Sequence, residues 1–210
     1  MEQHKNSVTF VQRSDENTKR DFPFDYELKI KYTINGDTVT NEYIVTNTGE
    51  DKLPFVIGGH PAFNCPLAKN EKFEDYKVVF DKNITKPCLR PNHHTGLVNV
   101  FEKFDEMHGG DTLSLVHELF EEKDALIFEN CEAKSATLIG KSGKGVKIEF
   151  QDMNNLLIWS AVGNAPFVAL EPWTGLASCN DEDGLFEHKR GMTVLEKDET
   201  ASFKFKITMI

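Results

Sequence analysis

Along most of this chain apolar residues recur at every second position, a period that suits strands with one face on a core and the other in water. Segment 27–34 is the clearest case: Leu28, Ile30, Tyr32 and Ile34 alternate with Lys29, Lys31 and Thr33. Asn35-Gly36 follows, a pair that tolerates the positive φ angles of a tight hairpin turn, so a second strand over about 38–46 is expected to return antiparallel. Ser135–Gly140 leads through Lys141-Ser142-Gly143-Lys144 into a second alternation, Val146, Ile148 and Phe150. Near the C-terminus Phe203, Phe205, Ile207 and Met209 repeat it, and shorter apolar runs at 76–80, 125–128, 156–161 and 167–170 add further strands. Helical spacing is confined to Leu113, Val116 and Phe120, which predicts one short helix or turn within 112–122. Residues 87–96 (PCLRPNHHTG) read as a long loop. The expected fold is all-β: a large antiparallel β-sandwich, one domain over 1–210, with residues 1–20 as a partly ordered extension.

Charge narrows the partners. Twenty-four Lys and Arg against 34 Asp and Glu leave a formal charge of −10, which repels nucleic-acid phosphates and acidic membrane surfaces and suits a neutral or cationic ligand. No stretch reaches the apolar length of a membrane span, and the first twenty residues lack the apolar centre of a signal peptide, so a cytoplasmic protein is expected. Cys65, Cys88, Cys131 and Cys179 are scattered without a CxxC pair or a histidine at metal-site spacing; buried or incidental thiols are expected, not a metal site or a disulfide framework.

Two segments break the pattern. In 53–67 (LPFVIGGHPAFNCPL) a histidine follows an apolar strand and two glycines and precedes a proline, so His60 is expected at a strand end where another chain or a ligand can approach the backbone closely. It serves either the core or a turn, or it exchanges protons. In 167–175 (FVALEPWTG) alternation puts Phe167, Ala169, Glu171 and Trp173 on one face. A carboxylate among such neighbours either meets a cation in a structural ion pair or carries a raised pKa suited to proton transfer.

Taken together, VTNTGEDKLPFVIGGHPAFNCPL, HELFEEKDALIF and APFVALEPWTGLA resemble, in order and approximate spacing, the aldose 1-epimerase (galactose mutarotase) family, in particular its shorter bacterial branch. The similarity runs from Asp21-Phe22-Pro23-Phe24 to Ile210. It implies a β-supersandwich with a sugar cleft across one sheet, a histidine acid matching His60 and a glutamate base matching Glu171. Asp124 falls where the family tends to place a carboxylate that holds a sugar hydroxyl, and Phe63 and Trp173 are candidates to stack on the apolar face of a pyranose. His117 reads as a structural member of its turn, and His93-His94 have no counterpart. A typical member carries a further N-terminal portion bearing an arginine and a histidine that face the sugar; His4 does not replace them, so an N-terminally truncated version of the fold is expected. Ser178 stands where close relatives carry an acidic residue.

The implied reaction is the interconversion of the anomers of a free aldose, with no metal, nucleotide or other cofactor. The alternatives are a non-catalytic carbohydrate-binding or regulatory module, or an incomplete gene product. Self-association through exposed sheet surface is a further expectation.

Overall fold

A computed structural model describes residues 1–92, 94–121 and 124–210. The strands are β1 (Glu2–His4), β2 (Ser7–Arg13), β3 (Tyr26–Asn35), β4 (Thr38–Asn47), β5 (Leu53–Phe55), β6 (Ala62–Asn64), β7 (Tyr76–Phe80), β8 (Cys88–Pro91), β9 (Val98–Phe104) and β10 (Thr112–Ser114). After the helical turn α1 (Glu118–Glu121) come β11 (Leu126–Phe128), β12 (Ser135–Gly140), β13 (Gly145–Glu149), β14 (Asn155–Trp159), β15 (Phe167–Trp173), β16 (Thr193–Leu195) and β17 (Thr200–Met209). They form a nine-stranded sheet in the order β1-β2-β3-β4-β17-β13-β12-β7-β10, a six-stranded sheet in the order β6-β15-β14-β11-β8-β9, and the small pair β16-β5. The strand ladders are antiparallel throughout.

The first hairpin forms as its alternation requires. β3 and β4 pair from Tyr26↔Asn47 to Asn35↔Thr38, closed by Gly36-Asp37, where Gly36 has φ +57°. Leu28 and Ile30 turn to the core, while Tyr32 and Ile34, towards the far end of the ribbon, stay exposed. The N-terminal residues also enter the large sheet: β2 pairs with β3 from Ser7↔Thr33 to Arg13↔Glu27, and β1 folds onto β2 as the edge strand.

The main core lies between the two large sheets. Val78, Phe80, Leu138, Ile148 and Phe205 come from the nine-stranded side; Leu126, Phe128, Leu156, Ile158, Val168 and Leu170 come from the six-stranded side. The six-stranded sheet is covered on its other face as well, by a second cluster containing Leu89, Val98, Ile127, Leu157 and Leu176. Double coverage explains why β11 and β14 read as unbroken apolar runs rather than alternations. All four cysteines are free and buried, and burial pushes the Cys65 thiol up to about 12. Among the described residues no helix is long and apolar enough to cross a membrane.

One expectation holds in part and one fails, each for an identifiable reason. The short helix or turn expected within 112–122 is present as α1 (Glu118–Glu121), but the residues before it form a strand: β10 pairs with β7, and Leu113 and Leu115 are buried at a spacing of two. Val116, which the helical reading needed inside, is exposed. The expected loop at 87–96 contains β8, whose Leu89 pairs with Ile127 of β11; flanking prolines disguised a short interior strand.

Phe205 is 1% exposed and Ile34 57% exposed. Phe205→Ala is expected to cost about 3–5 kcal/mol, whereas Ile34→Ala should stay within about 0.5 kcal/mol. Urea unfolding of the two variants measures both.

Candidate active site

The site is built on β15 and on the segment that runs beside it. Residues 57–61 continue the line of β6 along β15 through backbone bonds: Thr174 N–H donates to Ile57 O at 2.9 Å, Gly59 N–H to Pro172 O at 3.0 Å, and Leu170 N–H to Pro61 O at 3.1 Å. Gly58 and Trp173 form an isolated antiparallel bridge. The two glycines are required by contact. A Cβ on Gly58 would sit 2.3 Å from Trp173 Cδ1, and one on Gly59 would sit 2.6 Å from Phe205 Cε1. The Trp173 indole N–H closes the arrangement by donating to Gly59 O at 3.0 Å.

This lacing brings His60 next to the fifth residue of β15. His60 Nδ1 lies 3.5 Å from Glu171 Oε1, with the imidazole 59% exposed and the carboxylate 3% exposed. Glu171 is paired across the ladder with Leu157, so it sits within an apolar sheet. Burial, and then the negative charge of Asp124, push its carboxyl up to about 7. A carboxylate with that pKa is about half ionised at pH 7, which suits it to accept and return a proton.

Asp124 reaches the same cleft from just before β11. Its φ is +55°, a left-handed conformation that aspartate tolerates better than most residues. Asp124 Oδ1 accepts a hydrogen bond from the Trp159 indole N–H at 2.5 Å. Trp159 in turn presents its ring to His60, edge to face, with centroids 5.7 Å apart at 87°. His60, Asp124, Glu171 and Trp173 thus line one cleft of about 370 Å³, together with Trp159 and Asn92. Its size falls within the range of small-molecule sites.

Phe63 does not join them. It pairs with Val168, whose side chain faces the interior, and it packs against the core between the two sheets. Three positions separate it from His60, and an odd interval on an extended chain reverses the face. Sequence reasoning missed Trp159 and Asn92. The apolar run around Trp159 marked a strand but not its neighbour, and only pairing with β15 brings the indole to the cleft. Asn92 lies in what read as a featureless loop. His117 stacks on Phe73 at 3.9 Å, a packing role. His4 sits on the edge strand β1, away from the residues lining the cleft. Ser178 accepts a hydrogen bond from Lys189, which also pairs with Glu182. Of the remaining histidines, His93 lies outside the described residues, and His94 is an exposed turn residue.

Two sheets in this order, with an imidazole and a buried carboxylate facing one cleft, constitute a galactose mutarotase-like fold, and solved structures agree. A galactose mutarotase related enzyme from Lactobacillus acidophilus superposes with a TM-score of 0.89 at 26% identity, over 100% of this chain and 69% of that one. A galactose mutarotase-like protein from Lactobacillus casei gives 0.84 at 28% identity, over 100% and 72%. The sequence pattern of the aldose 1-epimerase family matches residues 1–208. Protein LacX of Lactococcus lactis subsp. lactis, in its plasmid form, is 35% identical over 213 residues, which span 100% of this chain and 70% of that protein. The chain belongs to the aldose 1-epimerase family.

Two outcomes are expected from the geometry. Because the folded pKa of Glu171 lies above the ordinary value, the folded state binds the extra proton between about pH 4.5 and 7, and stability falls as pH rises through that window. Glu171→Gln removes the ionisation, so its stability relative to wild type should improve from pH 5 to pH 8.5 by up to about 3 kcal/mol, read from urea unfolding at both pH values. Gly58→Ala should displace the Trp173 ring, visible as a changed tryptophan fluorescence spectrum in a protein that remains folded.

Proposed function

We propose that this chain interconverts the α and β anomers of a free aldose by acid–base ring opening. The observation that carries the reading is the pairing of an exposed imidazole with a buried, proton-ready carboxylate at 3.5 Å. The anomeric hydroxyl and the ring oxygen are both bonded to C1, so the base and the acid that serve them must be neighbours, as Glu171 and His60 are.

Glu171 takes the proton of the C1 hydroxyl, and the freed O–H electron pair becomes the second bond of the C1 carbonyl. The bond from C1 to the ring oxygen breaks, its electron pair stays on that oxygen, and His60 supplies the proton that neutralises it. Rotation about the C1–C2 bond turns the aldehyde. Closure from the other face returns one proton to His60 and the other from Glu171 to the new hydroxyl, so no atom is gained or lost. Asp124, whose Oδ1 faces the Trp159 indole, offers its other oxygen to a sugar hydroxyl, and the Trp173 ring offers an apolar wall.

Polarimetry of freshly dissolved α-D-glucose and α-D-galactose tests the reading. Wild type should accelerate mutarotation, and Glu171→Gln and His60→Asn should each lose about 10²–10⁴-fold of that acceleration. The acid limb of kcat/KM should follow the ionisation of Glu171, rising up to about pH 7. Saturable sugar binding without acceleration would overturn the catalytic reading in favour of a binding module.

A further inference from the structure

We propose that Trp159 is a positioning residue of this site: its indole N–H holds the Asp124 carboxylate at one place in the cleft, and so fixes the negative charge against which Glu171 ionises. The inference rests on the reading of Glu171 as the base.

Trp159 is well placed for that task. It ends β14, where it pairs with Ala169 of β15, two positions before Glu171. Its ring is wedged between His60, at 5.7 Å and 87°, and Phe167, at 5.5 Å and 59°. The indole therefore has little freedom to turn away, and its N–H stays directed at Asp124 Oδ1, 2.5 Å distant. The main chain of Asp124 is anchored separately: its N–H donates to Phe120 O at 3.2 Å, and its carbonyl faces Arg90 Nη1 at 3.5 Å. Those bonds fix the main chain of Asp124 but leave the carboxylate free to rotate about its own side-chain torsions. The indole removes that freedom.

Among the described residues the charged groups facing Glu171 are few. His60 approaches from 57–61, Asp124 from just before β11, and β14 contributes the apolar Leu157. Among the described residues lining the cleft none is Lys or Arg. Two influences raise Glu171, and they differ in kind. Burial belongs to the sheet and cannot change without unfolding, whereas the influence of Asp124 depends on where one side chain points. A carboxylate released towards water is screened, and its hold on Glu171 weakens.

The test is a carbon-13 NMR titration of the side-chain carboxyls without sugar, the Glu171 signal being assigned by its loss in Glu171→Gln. Asp124→Asn removes the charge and should lower the Glu171 midpoint by about one pH unit. Trp159→Phe keeps a ring in the wedge, loses the donor, and should move the midpoint in the same direction. The double variant should titrate like Asp124→Asn alone, because the indole acts through that carboxylate. The acid limb of mutarotation should shift with the midpoint. A Trp159→Phe midpoint equal to wild type, or effects that add in the double variant, would overturn the proposal. Should phenylalanine not be tolerated, the indole N–H resonance of the unmodified Trp159 gives a second readout: it should move upfield in Asp124→Asn, and an unmoved resonance overturns the link. Midpoints that shift in a protein without mutarotation would support the link and sink only the catalytic reading.

Discussion

Everything at the cleft depends on how residues 57–61 are tied to the edge of β15. A row of backbone hydrogen bonds, from Thr174–Ile57 to Leu170–Pro61, makes a short irregular segment behave as an extension of the sheet. Because those bonds involve main-chain atoms alone, the position of His60 is set by ladder geometry rather than by its own side-chain contacts. The glycines make the approach sterically possible, and the rings of Trp173 and Phe205 occupy the space their missing side chains leave. Phe205 belongs to the nine-stranded sheet, so the backbone at Gly59, next to His60, is backed by the other layer as well as by its own.

The second constraint is electrostatic. A sheet covered on both faces is a poor solvent for charge, and Glu171 is buried on an interior strand of such a sheet. An ordinary structural carboxylate at that depth would be matched by a lysine or arginine. Here, among the described residues, the groups within reach are an imidazole and a second carboxylate, and the result is a group balanced between its two protonation states near neutrality. The stability lost by ionising a buried side chain is the physical counterpart of the reactivity proposed for it.

Much of this was legible in the residues. Where one face of a strand meets water, as in β3, β4 and β13, alternation locates the element to within a residue or two, it finds β17 to within three, and Asn35-Gly36 marks the turn to within one position. Legibility falls where both faces are buried or where the element is very short. β8 was concealed by its prolines, and β10 was hidden because Leu113, Val116 and Phe120 happen to fit a helical interval. At the site, His60 and Glu171 stood out because each is chemically out of place among its neighbours. Trp159 did not, since an indole in an apolar run looks like core, and its hydrogen bond to Asp124 joins residues 35 positions apart. Phe63 was misjudged for the complementary reason: closeness in sequence to His60 says nothing about face on an extended chain.

The position of β17 has a consequence for how the chain reaches this state. β17 lies in the interior of the large sheet, between β4 and β13, and Thr208 meets Thr38, 170 positions away in the sequence. Within the large sheet the ribbon β1–β4 and the block β13-β12-β7-β10 are joined through β17, so their edges stay unpaired until residues 200–209 take their place between them. Assembly of the sandwich is consequently a late, non-local event, of the kind that folds slowly and leaves strand edges open to other chains in the interval. The strand that completes the sheet also carries Phe205, against which Gly59 rests, so the floor beneath His60 is among the last parts of the molecule to be laid.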